Sequence, residues 1–259
     1  MHTKIPTTKT VPANYMGVWQ RDLLETATHK DDSSLVFWMQ TQHYHIDIRI
    51  PAACTYLREV KELAEYNDDE LLILASQQGF AGITVVTPST STSSDVCQWL
   101  RKIDFQPTLN CQPNTESRDI GKMVFTDSNT VIETGVDDAY LEVWRRLAHS
   151  AKPYFFSSII GENRHGVQTP AYCMRAGKYI AYIRLRLEAL PSITLPAATL
   201  PKAPTLLNLI QTNKPSRELL LSWLDMEISF GEILDTNHWQ IKYSTLPFKL
   251  GSVIKLKTN

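Results

Sequence analysis

The chain has 259 residues, a net charge of −1, 43% apolar residues and 20% charged residues. This is the composition of an ordinary globular protein, without the clustered Lys and Arg of an extended phosphate-binding surface, so no nucleic-acid partner is expected. MHTKIPTTKTVPANY at the start lacks the apolar centre of a secretory leader, and no apolar run nears the roughly 20 residues of a membrane helix; a cytoplasmic protein is expected, with no membrane partner. Cys54, Cys97, Cys111 and Cys173 are scattered without a C-x-x-C spacing and read as reduced thiols.

In chain order, residues 1–14 read as a mobile arm. Strands are expected over Met16–Glu25, then as a tight pair, Val36–Thr41 and His43–Ile50, stopped by Pro51. Thr55–Gln78 has the best helical spacing, with Leu57, Val60, Leu63 and Ala64 before Asn67-Asp68-Asp69 and Leu71, Leu72 and Ala75 after it. Two short helices are expected, the second capped by Asn67 or Asp68 and ended by Gly79. Further strands follow over Gly82–Thr87, Asp95–Asp104, Lys122–Thr126, Thr130–Gly135 and Ala139–Leu147, with polar connections at 88–94 and 107–119. The second half offers strands over Tyr154–Ile160, Ala171–Ala176 and Lys178–Glu188, a Pro-rich linker and a short helix at Leu206–Gln211. Strands over Leu219–Ile233, His238–Thr245 and Ser252–Lys257 complete it. A boundary at Ala151-Lys152-Pro153 divides the chain into the arm, a first β-barrel domain over 15–150 and a second over 151–259.

The halves echo each other. Val36–Ile50 aligned on Ala171–Leu185 shares Met39/Met174, Tyr44/Tyr179, Ile48/Ile183 and Arg49/Arg184. A sparser match sets Trp99, Lys102 and Pro107 against Trp239, Lys242 and Pro247. Strands in series without a βαβ rhythm favour antiparallel sheet, and closing into a barrel hides its edges. The expected class is all-β: two tandem antiparallel barrels with short inserted helices. An eight-stranded barrel is about the size that holds one small ligand.

Gly17-Val18-Trp19 resembles the G-x-W opening of the calycins, the lipocalins and fatty-acid-binding proteins. The wider set GVWQR, VFWMQT, DIRIP, QQGFAG, EISFGEI and HWQIKYSTLPF, with Gly251 after it, resembles an uncharacterised family of bacterial proteins with fungal relatives. The resemblance spans roughly Gly17 to Leu256. It implies tandem lipocalin-like barrels and brings no activity and no catalytic residues.

On a strand, His43, His45, Asp47 and Arg49 share one face, and Tyr44, Ile46 and Ile48 the other. Two His at i, i+2 suit a metal, but the matching positions of the second half keep Arg184 and lose both His. A metal site there is disfavoured, and the polar face reads as solvent-facing. Arg49 and Arg184 could anchor a carboxylate. Trp19, Trp38, Trp99, Trp144, Trp223 and Trp239 fall on expected strands, where aromatics fill cores or stack a planar guest. Glu133, Glu142 and Asp137-Asp138 could supply paired carboxylates, but charge at strand ends is usually solvated, and they are read so.

The leading expectation is a non-enzymatic barrel without cofactor that binds a small apolar or planar ligand, with or without a carboxylate. Its site residues are Trp38, Tyr44, Arg49, Trp99, Tyr182 and Arg184. The alternatives are a metal- or haem-dependent isomerase or oxidoreductase using His43 and His45, and a protein-interaction module. A homodimer is compatible with the sequence.

Overall fold

The computed structural model describes residues 9–89, 94–107, 119–191 and 205–255. The expected polar loop at 88–94, the connection at 107–119, the Pro-rich linker and Cys111 lie largely or wholly outside those residues.

The first sheet contains β1 (Gly17–Thr26), β2 (Lys30–Asp31), β3 (Leu35–Gln40), β4 (Tyr44–Ile50) and β5 (Gln78–Thr87). It continues with β6 (Asp95–Asp104), β7 (Ile120–Asp127), β8 (Thr130–Gly135) and β9 (Tyr140–Arg146). Every pair is antiparallel. β9 returns to β1, with Trp19 opposite Arg146 and Arg21 opposite Trp144, so eight strands close a barrel while the two-residue β2 rides on β1. The second sheet runs in chain order through β10 (Tyr154–Glu162), β11 (Gln168–Ala176), β12 (Tyr179–Arg184), β13 (Glu227–Ile233), β14 (His238–Ser244) and β15 (Val253–Lys255). The all-β antiparallel expectation holds. The second sheet is a curled half-barrel that stays open among the described residues.

The helical expectations need two corrections. Residues 55–66 form no α-helix; there are 3-10 turns at Ala52–Tyr56 and Leu63–Glu65 instead. Of Leu57, Val60, Leu63 and Ala64 only Leu63 is fully buried, so no continuous packed face supports a helix of that length. α1 (Asp68–Ala75) follows, closed by a capping box in which Glu70 N–H donates to Asn67 Oδ1 at 3.0 Å and Asn67 N–H to Glu70 Oε2 at 2.8 Å. It stops before Gly79, which lies in β5. α2 (Leu206–Asn213) appears as expected, but α3 (Arg217–Leu224) replaces the first half of the strand read over Leu219–Ile233. Its apolar run is buried on several sides, so its period is ambiguous, and Ser216 supplies the cap.

β3 and β4 set the packing by alternation. Phe37, Met39, Ile46 and Ile48 point out of the barrel into a core shared with Met174, Ala181, Ile183, Ile228 and Phe230 of the second sheet and with the buried sides of all three helices. Phe37 stacks on Tyr243, with ring centroids 4.5 Å apart. The opposite face of β3, with Val36 and Trp38, fills the lumen beside Trp19, Trp99 and Trp144. Val11, within the expected arm, is only 4% exposed and packs in that lumen beside Tyr15, its N–H donating to Gln42 O at 2.8 Å. Residues 1–8 lie outside the described residues.

The two repeated hairpins share a register. Val36 pairs with Arg49 as Ala171 pairs with Arg184, and Trp38 with Asp47 as Cys173 with Tyr182. In both sheets the next strand pair carries a bulge at a glycine, Gly82 opposite Arg101 and Gly231 opposite Ile241. Trp99 and Trp239 each stand two residues before those partners. A Cβ on Gly82 would strike the Leu100 carbonyl, and one on Gly231 the Gln240 carbonyl, so both bulges need glycine for backbone approach. Among the described residues no helix is long and apolar enough to cross a membrane.

Candidate functional site: a cavity in the closed barrel

The lumen changes character along its axis. At the end plugged by Val11 and Tyr15 it is tight and apolar, with the Trp19 indole N–H donating to Tyr15 O at 2.8 Å. Toward the other end it opens into a cavity of about 280 Å³. Trp38, Trp99, Trp144, Phe80 and Tyr140 supply aromatic walls, and Leu24, Thr26, Asp138 and Ala139 lie on the side of the β8–β9 turn. The cavity exists because inward positions of β1, β3–β6, β8 and β9 bring aromatic and charged side chains to one level. The bulge after Arg21 in β1 keeps both Arg21 and Leu24 directed inward, opposite Trp144 and Glu142.

Charged groups form a network over this aromatic base. Arg49 Nε donates to Asp47 Oδ1 at 3.0 Å and its Nη1 to Glu142 Oε1 at 3.3 Å. Arg21, buried behind them, reaches the same Glu142 oxygen at 2.8 Å and Asp31 at 2.5 Å. Arg101 pairs with Asp119 at 2.7 Å and Asp104 at 3.0 Å, its guanidinium 3.6 Å from the centroid of Phe80. Glu133 differs: it accepts from the Tyr140 hydroxyl at 2.6 Å and the Trp144 indole at 3.1 Å.

Burial governs the acid–base character. It raises the carboxyl of Asp47, against the opposing pull of Arg49. Burial and the neighbouring Glu142 raise Glu133 from 4.5 to about 8, against the Tyr140 hydrogen bond. Arg49 is pushed down by burial, but Asp47 and Glu142 outweigh that and hold it well above its ordinary value. Burial, helped by Arg101, lowers His45 to about 3.

No protein-family model and no curated protein matches the chain. Among solved structures it is similar to the uncharacterized protein YLR301w from Saccharomyces cerevisiae, at 12% identity and a TM-score of 0.49, over 88% of this chain and 84% of that one.

Of the six residues expected to bind, Trp38, Arg49 and Trp99 line the cavity together. Tyr44 does not: it points outward, its ring stacked on Phe156 at 3.7 Å between the sheets. Tyr182 and Arg184 lie in the second sheet, where Arg184 is 1% exposed and held by Asp225 Oδ1 at 2.5 Å and Asp225 O at 3.1 Å. The face of His45, Asp47 and Arg49, read as solvent-facing, faces the lumen, because the second sheet covers the apolar face. His45 Nδ1 lies 3.0 Å from Thr84 Oγ1, which donates to Gln40 Oε1 at 2.7 Å, so Nδ1 carries the proton. His43 lies in the β3–β4 turn, and among the described residues no three His, Cys, Asp or Glu side chains are grouped to hold a metal ion.

Sequence reasoning missed Glu133 and Glu142, which are 4% and 2% exposed rather than solvated. Their alternation with Val131 on β8 and with Tyr140 and Trp144 on β9 was the available signal, since those apolar neighbours share their face. Phe80, Arg101, Tyr140 and Trp144 also belong to the site.

Proposed function

We propose that the protein is a non-enzymatic, cytoplasmic, lipocalin-like binder of one small planar molecule, held in the first of two tandem units, 15–150 and 151–259. The cavity carries this reading: about 280 Å³ inside a closed barrel, walled by Trp38, Trp99, Trp144 and Phe80. Small-molecule sites are usually concave, with apolar walls and convergent polar groups; here five aromatic rings face seven charged side chains, a more polar site than most. The volume suits a guest of one or two rings. The shared hairpin register and the paired glycine bulges support the tandem arrangement. Native mass spectrometry of the freshly purified chain, with tryptophan fluorescence titrations using one- and two-ring probes, tests the role. A retained small molecule, or quenching lost in Trp99→Ala, is expected; an empty protein indifferent to every probe would overturn the proposal.

The second sheet has its own candidate role as a surface for self-association. β10 pairs with β11 on one side and leaves its nine-residue outer edge open among the described residues, free of Lys, Arg and Pro, with Phe155 and Ile160 about half exposed. Monomers usually blunt such edges. Light scattering should report a dimer that Ile160→Lys converts to monomer; a monomeric parent chain would remove this role.

A further inference from the structure

We propose that the cavity selects an organic cation, a protonated amine or amidinium on a planar body, and that the carboxyl of Glu133 reads its charge. The inference rests on the binding role proposed above and adds the sign of the guest's charge.

The guanidinium groups around the cavity are already taken. Arg49 has Asp47 and Glu142, Arg101 has Asp119 and Asp104, and Arg21 has Glu142 and Asp31. An anionic guest would have to break one of these pairs, so the carboxylate anchor expected of Arg49 is not free. Glu133 is the opposite case. It lines the cavity and its hydrogen-bond donors, Tyr140 and Trp144, are both neutral. Each of its oxygens keeps acceptor capacity. It stands directly opposite Glu142 in the β8–β9 register, and like charges so placed repel. That repulsion keeps Glu133 from ionising alone; a cation between the aromatic walls supplies the missing countercharge and meets the negative faces of the Trp rings.

This arrangement couples binding to a proton. The titratable and charged groups facing Glu133 are Glu142 and Tyr140 from β9, Arg49 and Asp47 from β4, Arg101 and Cys97 from β6, Asp119 before β7, Asp138 in the β8–β9 turn and Tyr15 before β1. Burial and Glu142 dominate, so the empty site holds the Glu133 proton up to about pH 8. When a cation enters near neutrality, the Glu133 O–H bond breaks, the proton passes to the buffer and the carboxylate pairs with the guest.

Calorimetric titration of the full chain with benzamidine, benzamide and benzoate at pH 6, 7, 8 and 9 tests this. Benzamidinium should bind about tenfold or more tightly than benzamide, with benzoate weakest. Its affinity should climb by up to roughly tenfold per pH unit between 6 and 8, then level off, with a heat that varies with the buffer's ionisation enthalpy. In Glu133→Gln the preference for the cation over benzamide and its pH dependence should both vanish. Benzamide or benzoate binding as tightly as benzamidinium, or a cation affinity flat in pH, overturns the inference and leaves the binding role standing. Heat from none of the three removes both. The pH series on the unaltered chain decides the matter even if Glu133→Gln does not fold.

Discussion

Arg49 and Arg184 hold the same register position in two similar hairpins, yet they have opposite surroundings. Arg49 leans into an open cavity between Asp47 and Glu142 and keeps part of its side chain accessible. Arg184 is sealed, with Asp225 on its guanidinium and Glu227 4.0 Å from its Nε. The difference teaches that the hairpin fixes direction while its surroundings decide use. In the barrel, β8 and β9 come round to place Glu133 and Glu142 across from Arg49 and leave space between. In the second sheet the residues after α3 fold in against the arginine.

The sharpest test of this contrast is to remove each guanidinium. Arg184→Met leaves the buried Asp225 without its ion-pair partner, while Glu227 keeps Lys249, and should cost about 3–5 kcal/mol in urea denaturation. Arg49→Met, partly accessible and beside a cavity that admits water, should cost about 1–2 kcal/mol. Equal losses would erase the distinction between a structural and a site arginine.

The bulge glycines probe what the two sheets share. Gly82→Ala and Gly231→Ala each drive a methyl into a facing carbonyl and should each lower stability by about 1–3 kcal/mol. Tolerance at Gly231 alone would show that the open sheet relaxes where the closed barrel cannot.

Titration separates the regions again. Glu133 is raised from 4.5 to about 8 on folding, so its favourable contribution is complete below pH 4.5 and is lost as pH rises through 8. Compared with the parent chain, Glu133→Gln should therefore gain on the order of 1–3 kcal/mol between pH 5 and pH 8. His45 runs the other way: lowered from 6.5 to about 3, it contributes above pH 6.5 and loses that contribution as pH falls through 3. His45→Gln should flatten the acid limb of the stability curve. A Glu133→Gln curve parallel to the parent's would contradict the assigned proton.

The smallest effects belong to the inserted helices. Asn67→Ala and Thr205→Ala each remove a capping box, at a cost of about 1 kcal/mol by thermal melting. A loss at only one of them would show that the two insertions carry unequal weight.

Much of this architecture is legible from residue order. The alternation of β4 divides Tyr44, Ile46 and Ile48 from His45, Asp47 and Arg49 correctly. Which face is inside cannot be read there, because a barrel with a polar cavity and a covered outer wall inverts the usual rule that apolar faces point inward. The Leu219–Leu224 run hides its helix because apolar residues in succession have no period, and Ser216 alone is a faint cue. Of the site, Trp38, Arg49 and Trp99 could be found from the repeat. Glu133, Glu142 and Tyr140 could not, since β8 and β9 have no counterpart among the strands of the second sheet, and their burial depends on closure against β1.

The wedge formed by Val11 and Tyr15 gives the barrel the form of a cup rather than a tube. Among the described residues the lumen opens only beside Thr26, Asp138 and Ala139, so a guest of the proposed kind would leave by the mouth through which it came. Occupancy would then be exclusive: a newcomer could not push a resident out from behind, and turnover would wait for spontaneous departure. Such a vessel is suited to holding and handing over single molecules, not to passing a stream of them.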